Sequence, residues 1–222
     1  VSLHGEERVP TETAGLAEAL PTQVYALEDG DAIELSIGAV KKTIVGQTVR
    51  MLGYNGQIPG PLLKVREGSR VAIKVKNGLE GETTVHWHGV RVENRDDGLP
   101  GVTQEPIGPG EEFVYTPVFP DAGFYWYHPH VREDYQQESG LYGGIVVVPR
   151  DGEYYASVNR EEVLFVDDIL LEEGGLVFFR DHIRYALMGR FGDVMLVNGQ
   201  EEYSLDVRRG DVVRFFCGEC GE

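Results

Sequence analysis

His86-Trp87-His88-Gly89 and, about forty residues later, Phe124-Tyr125-Trp126-Tyr127-His128-Pro129-His130 set two His-x-His pairs inside short apolar runs, and they hold four of the six histidines of the chain. In an extended strand side chains alternate between faces, so each His-x-His presents both imidazoles on one side of a sheet. A lone histidine on a strand is most often a satisfied structural residue. Two pairs on neighbouring strands can instead converge on one metal site, since imidazole is the commonest metal ligand. Imidazole suits zinc, copper, iron and nickel alike, so the spacing by itself leaves the metal open.

Outward from these pairs the sequence reads as strands. Ile33-x-Leu35-x-Ile37, Val71-x-Ile73-x-Val75, Val90-x-Val92, Phe113-x-Tyr115 and Ile145 to Val148 are short alternating or continuous apolar runs, punctuated by Gly and Pro. That pattern predicts an all-β sandwich or barrel. Residues 1–30 read as a polar N-terminal arm, with one short helical turn expected at Thr13 to Ala19. An internal repeat sets the domain count: Asn55-Gly56-Gln57, Leu63-x-Val65-Arg66-x-Gly68 and Val71 recur about 142 residues later as Asn198-Gly199-Gln200, Leu205-x-Val207-Arg208-x-Gly210 and Val213. A duplicated β-domain follows, with a first domain over 31–150, a polar linker at 151–160 and a second domain from 161 to 222. In the first copy roughly eighty residues follow the matching Val71, against nine after Val213. The second domain is therefore expected to be incomplete here, finished by the remainder of the protein or by another chain.

The 222 residues carry a net charge of −17 and lysine only at positions 41, 42, 64, 74 and 76, which disfavours a polyanionic partner such as nucleic acid. Apolar runs such as Ile145 to Val148 fall far short of the ~18 residues of a spanning helix. The stretch Val1 to His4 has neither the basic nor the apolar region of a secretory signal. Cys217 and Cys220, the only cysteines, have no histidine neighbours.

The surroundings of the histidine pairs are more specific. His86-Trp87-His88-Gly89, Asp97-Gly98, Pro106-x-x-Pro109-Gly110, Phe124 to His130 and Gly140-Leu141-Tyr142-Gly143-Gly144-Ile145-Val146-Val147 resemble the first cupredoxin domain of laccase-like multicopper oxidases. The likeness extends upstream to Tyr54-Asn55-Gly56-Gln57-Ile58-Pro59-Gly60-Pro61 and downstream to Met188-Gly189-Arg190-Phe191 and Val197-Asn198-Gly199, the three-domain type. It implies a cupredoxin-like Greek-key β-sandwich followed by the start of a second. It further implies that His86 ligates a type 2 copper, that His88 and His128 ligate one copper of a type 3 pair, and that His130 ligates the other. These would be half of a trinuclear cluster. Asp97 falls where the family keeps a carboxylate that orients water and relays protons, although Asp-Gly is equally a common turn pair.

The family's activity is one-electron oxidation of a small reducing substrate (phenol, aromatic amine or metal ion) coupled to reduction of dioxygen to water, in the periplasm or outside the cell. Its type 1 copper needs a cysteine with two histidines, absent from these residues and expected in the remaining part of the enzyme. Two alternatives stand beside this: a copper-binding cupredoxin fragment without turnover, and a cupin-type oxygenase using His86, His88 and Glu93. Trp87 is expected in the core, Phe124 to Tyr127 as sandwich core leading into the ligands, and Gly143-Gly144 as a bulge or a close backbone approach to the metal.

Overall fold

The computed structural model describes residues 9–172, 175–178 and 187–219. Fourteen strands appear among them: β1 (Val24–Leu27), β2 (Ala32–Ile44), β3 (Gln47–Tyr54), β4 (Leu62–Arg66), β5 (Ala72–Asn77), β6 (His86–His88), β7 (Glu112–Tyr115), β8 (Gly123–His128), β9 (Gly143–Val148), β10 (Arg160–Ile169), β11 (Leu171–Glu172), β12 (Gly175–Leu176), β13 (Val194–Val197) and β14 (Val213–Glu219). One short helix, α1 (Glu133–Gln136), and a 3-10 turn at Asn94–Asp96 accompany them. No described helix is long and apolar enough to cross a membrane.

Two sheets make the sandwich. One has the order β1-β4-β9-β8-β6, the other β3-β2-β5-β7. Alternation explains both: every second residue of β5 is buried, from Ile73 through Val75 to Asn77, and β4 buries Leu63 and Val65. Their inner faces meet in one core that includes Leu35, Ile37, Ile73, Val75, Trp87, Tyr115, Tyr127, Ile145 and Val147. Burying each of the larger apolar side chains contributes about 1.5–3 kcal/mol.

The arm differs from its sequence expectation. Residues Val24–Leu27 pair parallel with β4, and Thr13 to Ala19 form a turn and a bridge to Lys41 in place of helix. Val90-x-Val92 is a loop, because Gly89 at φ 80° ends β6 in a turn closed by the Val90 amide on the Trp87 carbonyl. The aromatic run divides by parity: Tyr127 lies in the core, while Phe124 and Trp126 face outward toward the next sheet.

The repeated motif folds twice into the same turn. Asn55-Gly56 and Asn198-Gly199 all have positive φ, the requirement of a type I′ turn. Asn55 takes the Ser36 amide on Oδ1 and donates to the Glu34 carbonyl; Asn198 takes the Phe165 amide and donates to the Val163 carbonyl. The second copy builds a three-stranded sheet, β13-β10-β14, in which β10 runs antiparallel to β13 and parallel to β14.

This sheet docks on the sandwich at two places. Phe165 packs with Tyr142, Phe124 and Trp126, and Ile169, Leu171 and Leu196 pack with Val40, Ile44, Met51 and Ile58. Gly144 belongs to this contact: a Cβ there would meet Leu62, Phe165 and Phe124, so the glycine gives room to a neighbouring sheet and not to a metal. Gly143 likewise makes room for the Tyr127 ring.

Two buried polar contacts cross the same seam. Arg190 pairs with Glu138, and the Tyr142 hydroxyl donates to Asp167 Oδ2 at 2.7 Å. Burial pushes the Asp167 carboxyl up to about 6, against the pull of the Tyr142 hydrogen bond and with a smaller push from Asp168. The folded chain therefore holds a proton that the unfolded chain releases. Stability from this group is full below the unfolded carboxyl value and is lost as pH rises through about 6, by on the order of 3 kcal/mol. Asp167→Asn, which still offers an oxygen to Tyr142, is expected to abolish that part of the pH dependence and to equal or exceed the native chain in stability at pH 7.5. Urea midpoints of both chains at pH 4 and 7.5 check this; parallel pH profiles would contradict it.

Candidate metal centre

Strand register brings the two histidine pairs together. β6 pairs antiparallel with β8, with His86 opposite His128 and His88 opposite Trp126. Opposed residues share a face, so His86, His88, His128 and Trp126 all project from the outer side of the sheet. Trp87, one residue out of phase, is fully buried in the core as expected. β8 ends at His128, where Pro129 can donate no ladder bond, and the chain bends so that His130 returns to the cluster.

The rings crowd closely. Centroid distances are 4.6 Å for His86–His130, 4.9 Å for His128–His130, 5.4 Å for His88–His128, 5.5 Å for His86–His128 and 5.6 Å for His86–His88. One nitrogen each of His86, His88 and His128 lies within 4.8 Å of the others. Trp126 stacks on His128 at 4.1 Å and 20°, and lies 4.9 Å from His88. Its indole thus walls the two imidazoles, a role the sequence alone assigned to the core.

Hydrogen bonds fix which nitrogen each ring offers. His86 Nδ1 donates to the Asp97 carbonyl at 2.7 Å and His128 Nδ1 to the Pro129 carbonyl at 2.9 Å. A carbonyl only accepts, so in both rings the bare lone pair is on Nε2. His130 Nδ1 meets the Glu133 carboxylate. His88 is turned the other way: its Nδ1 faces His128 Nε2 at 3.3 Å. Burial, opposed by the carbonyl bond and aided by the neighbouring rings, lowers His86 and takes His128 down to about 3. His128 is therefore neutral at physiological pH and can bind a cation without first losing a proton.

This donor set fits a borderline transition metal. Converging imidazole nitrogens suit copper or zinc, whereas calcium and magnesium require oxygen. The outer contacts match what metal-bound histidines make, with the second ring nitrogen held by a carbonyl or carboxylate.

Asp97 belongs to this shell in two ways. Its carbonyl holds His86, and its Oδ1 lies 3.4 Å from His86 Nδ1 on a side chain 32% exposed. It also caps the 3-10 turn before Gly98 at φ 78°, where any Cβ would be driven into the Val85 carbonyl just ahead of His86. The turn is thus what places the carboxylate. Glu93 is not brought to the cluster: its side chain is 60% exposed and pairs with Arg70 and Arg95, which removes the geometric basis of the cupin alternative. Cys217 is exposed on β14; Cys220 lies outside the described residues.

Comparison with known proteins agrees with the donor set. The family described as multicopper oxidase matches residues 36–152. Copper resistance protein A of Escherichia coli is 36% identical over 150 residues, covering 68% of this chain and 24% of that protein. Multicopper oxidase MmcO of Mycobacterium tuberculosis is 40% identical over 124 residues, covering 55% of this chain and 23% of that one. Among solved structures, a multi-copper oxidase from Pseudomonas thermotolerans superposes with a TM-score of 0.80 at 32% identity, over 88% of this chain and 47% of that one. The chain thus spans about a quarter of the length of these curated relatives. Copper is the cofactor this family implies, and on the family match and the cupredoxin-like fold the chain belongs to the multicopper oxidases.

Proposed function

We propose that this chain supplies the N-terminal half of a trinuclear copper site in a laccase-like oxidase, with His86 on the type 2 copper, His88 and His128 on one type 3 copper and His130 on the other. The observation that carries the proposal is the convergence of four imidazoles, three on the paired strands β6 and β8 and His130 just beyond β8, with the Nδ1 atoms of His86 and His128 committed to carbonyls. Bound copper would supply one-electron redox chemistry and a seat for dioxygen. The protein would take electrons from a small reducing substrate and pass them to oxygen, giving water. The type 1 copper that admits those electrons needs a cysteine with two histidines, and neither cysteine here has a histidine neighbour, so activity requires the remainder of the enzyme. Export to the periplasm or outside the cell is part of the same proposal.

Within this reading each residue has a physical task. The histidines hold and orient; the Trp126 ring keeps water from one side of His128. Asp97 is the candidate proton carrier, because its carboxylate lies between a ligand imidazole and solvent. A carboxylate so placed can take up a proton from solvent on Oδ1 or Oδ2 and hold it beside His86.

Replacing His86 by Ala in the copper-loaded protein is expected to remove the type 2 signal in electron paramagnetic resonance while leaving most of the type 3 copper, since that pair keeps its other ligands. A full type 2 signal in that variant would sink the assignment. Asp97→Asn keeps the turn and the carbonyl bond to His86. It should retain copper yet slow oxygen consumption by ~10² or more, the usual loss on removing acid-base assistance. Unchanged turnover at matched copper loading would leave Asp97 as a turn residue only.

A further inference from the structure

The outer contacts of the cluster are not equivalent. His86 and His128 donate from Nδ1 to backbone carbonyls, with the Asp97 carboxylate a further 3.4 Å neighbour of His86 Nδ1, whereas the Nδ1 of His130 meets the Glu133 carboxylate directly. The contact is built, not incidental. Arg132 adopts a left-handed conformation at φ 47°, ψ 55°, which folds the chain back after His130 and starts α1 at Glu133. A non-glycine residue held there costs energy that surrounding structure must offset. The Arg132 guanidinium forks onto Asp134.

The helix is then anchored to the segment that leads into β6, the strand of His86 and His88. Gln136, 4% exposed, accepts from Thr83 Oγ1 at 2.7 Å and donates to the Glu82 carbonyl at 2.8 Å. The His130 amide donates to Thr84 Oγ1 at 3.1 Å. Residues 82–84 lead directly into β6 and His86. His130 and Glu133 are therefore both referenced to the β6 ligands by side-chain bonds that no metal is needed to form.

We infer that Glu133 is a positioning residue of the metal centre: it fixes His130 as the Nδ1–H tautomer and turns Nε2 toward the other three histidines. This rests on the proposal that the four histidines ligate copper. A carboxylate acceptor also makes the imidazole a stronger donor than a carbonyl does, so the Glu133 contact raises the donor strength of His130. A simple surface ion pair, worth little in water, would leave ring orientation and metal affinity untouched.

The test uses the full chain labelled with ¹⁵N-histidine, first metal-free and then titrated with Cu²⁺ against a competing chelator. Long-range proton-nitrogen spectra at pH 8 are expected to show His130 as Nδ1–H in the native chain and in Glu133→Gln, whose amide oxygen still accepts. In Glu133→Ala the tautomers should mix and Cu²⁺ affinity fall by about 10- to 100-fold, the usual cost of losing such a contact. Glu133→Gln should fall by several-fold only. An Nε2–H tautomer in the native chain overturns the inference even if the alanine variant fails to fold, as does a Glu133→Ala chain with native tautomer and affinity. A native chain with the Nδ1–H tautomer that binds no Cu²⁺ at these histidines would instead refute the copper proposal and leave the Glu133 lock standing.

Discussion

The pairing of β6 with β8 is the constraint on which the centre depends. Because His86 stands opposite His128, the two-residue period of both strands puts three imidazoles on one face and sends Trp87 and Tyr127 into the core. A slip of one residue would exchange these sets, burying histidines and exposing a tryptophan and a tyrosine. The apolar core therefore guards the register of the histidines: Trp87 against Tyr115 at 5.5 Å, and Tyr127 against Tyr54 at 5.0 Å, resist the slip by packing alone. The Tyr127 hydroxyl, bonded to the Pro61 carbonyl at 2.7 Å, adds a directional lock.

Around that pairing lies a layer of polar contacts that settles ring orientation before any metal arrives. The Asp97 turn, the Pro129 carbonyl and the α1 carboxylate each take one ring nitrogen. The second sheet reaches the same region from behind. Tyr142 and Glu138, on the segment that joins α1 to β9, are gripped by Asp167 and Arg190 of the second copy of the repeat. Packing of Phe165 on Tyr142 and Phe124 stiffens the segment further. The segment from His130 to Tyr142 is thus held between the sandwich and its neighbour.

Much of this was legible in the sequence, and what was not has a physical reason. Alternation in Val71-x-Ile73-x-Val75 and the histidine pairs announced strands and the gathering of imidazoles on one face, because period two is a local property. The Asn-Gly repeat announced a second copy, and both turns adopt the same backbone conformation. The strand Val24–Leu27 escaped notice because it is a sheet edge with a mostly exposed pattern, recruited through backbone pairing with β4. Helix α1 is four residues long, too short for a helical period to show. Glu133 depends on the left-handed Arg132, which no composition rule flags; the His-x-x-Glu spacing from His130 was the one available hint. Trp126 was assigned inward because an aromatic run reads as core unless its parity relative to the histidines is counted.

The most direct test of the account is anomalous scattering at the copper absorption edge from crystals of this chain grown with copper. Anomalous peaks are expected within bonding distance of Nε2 of His86, His128 and His130 and of Nδ1 of His88. Peaks elsewhere on the acidic surface with none among these four rings would contradict it.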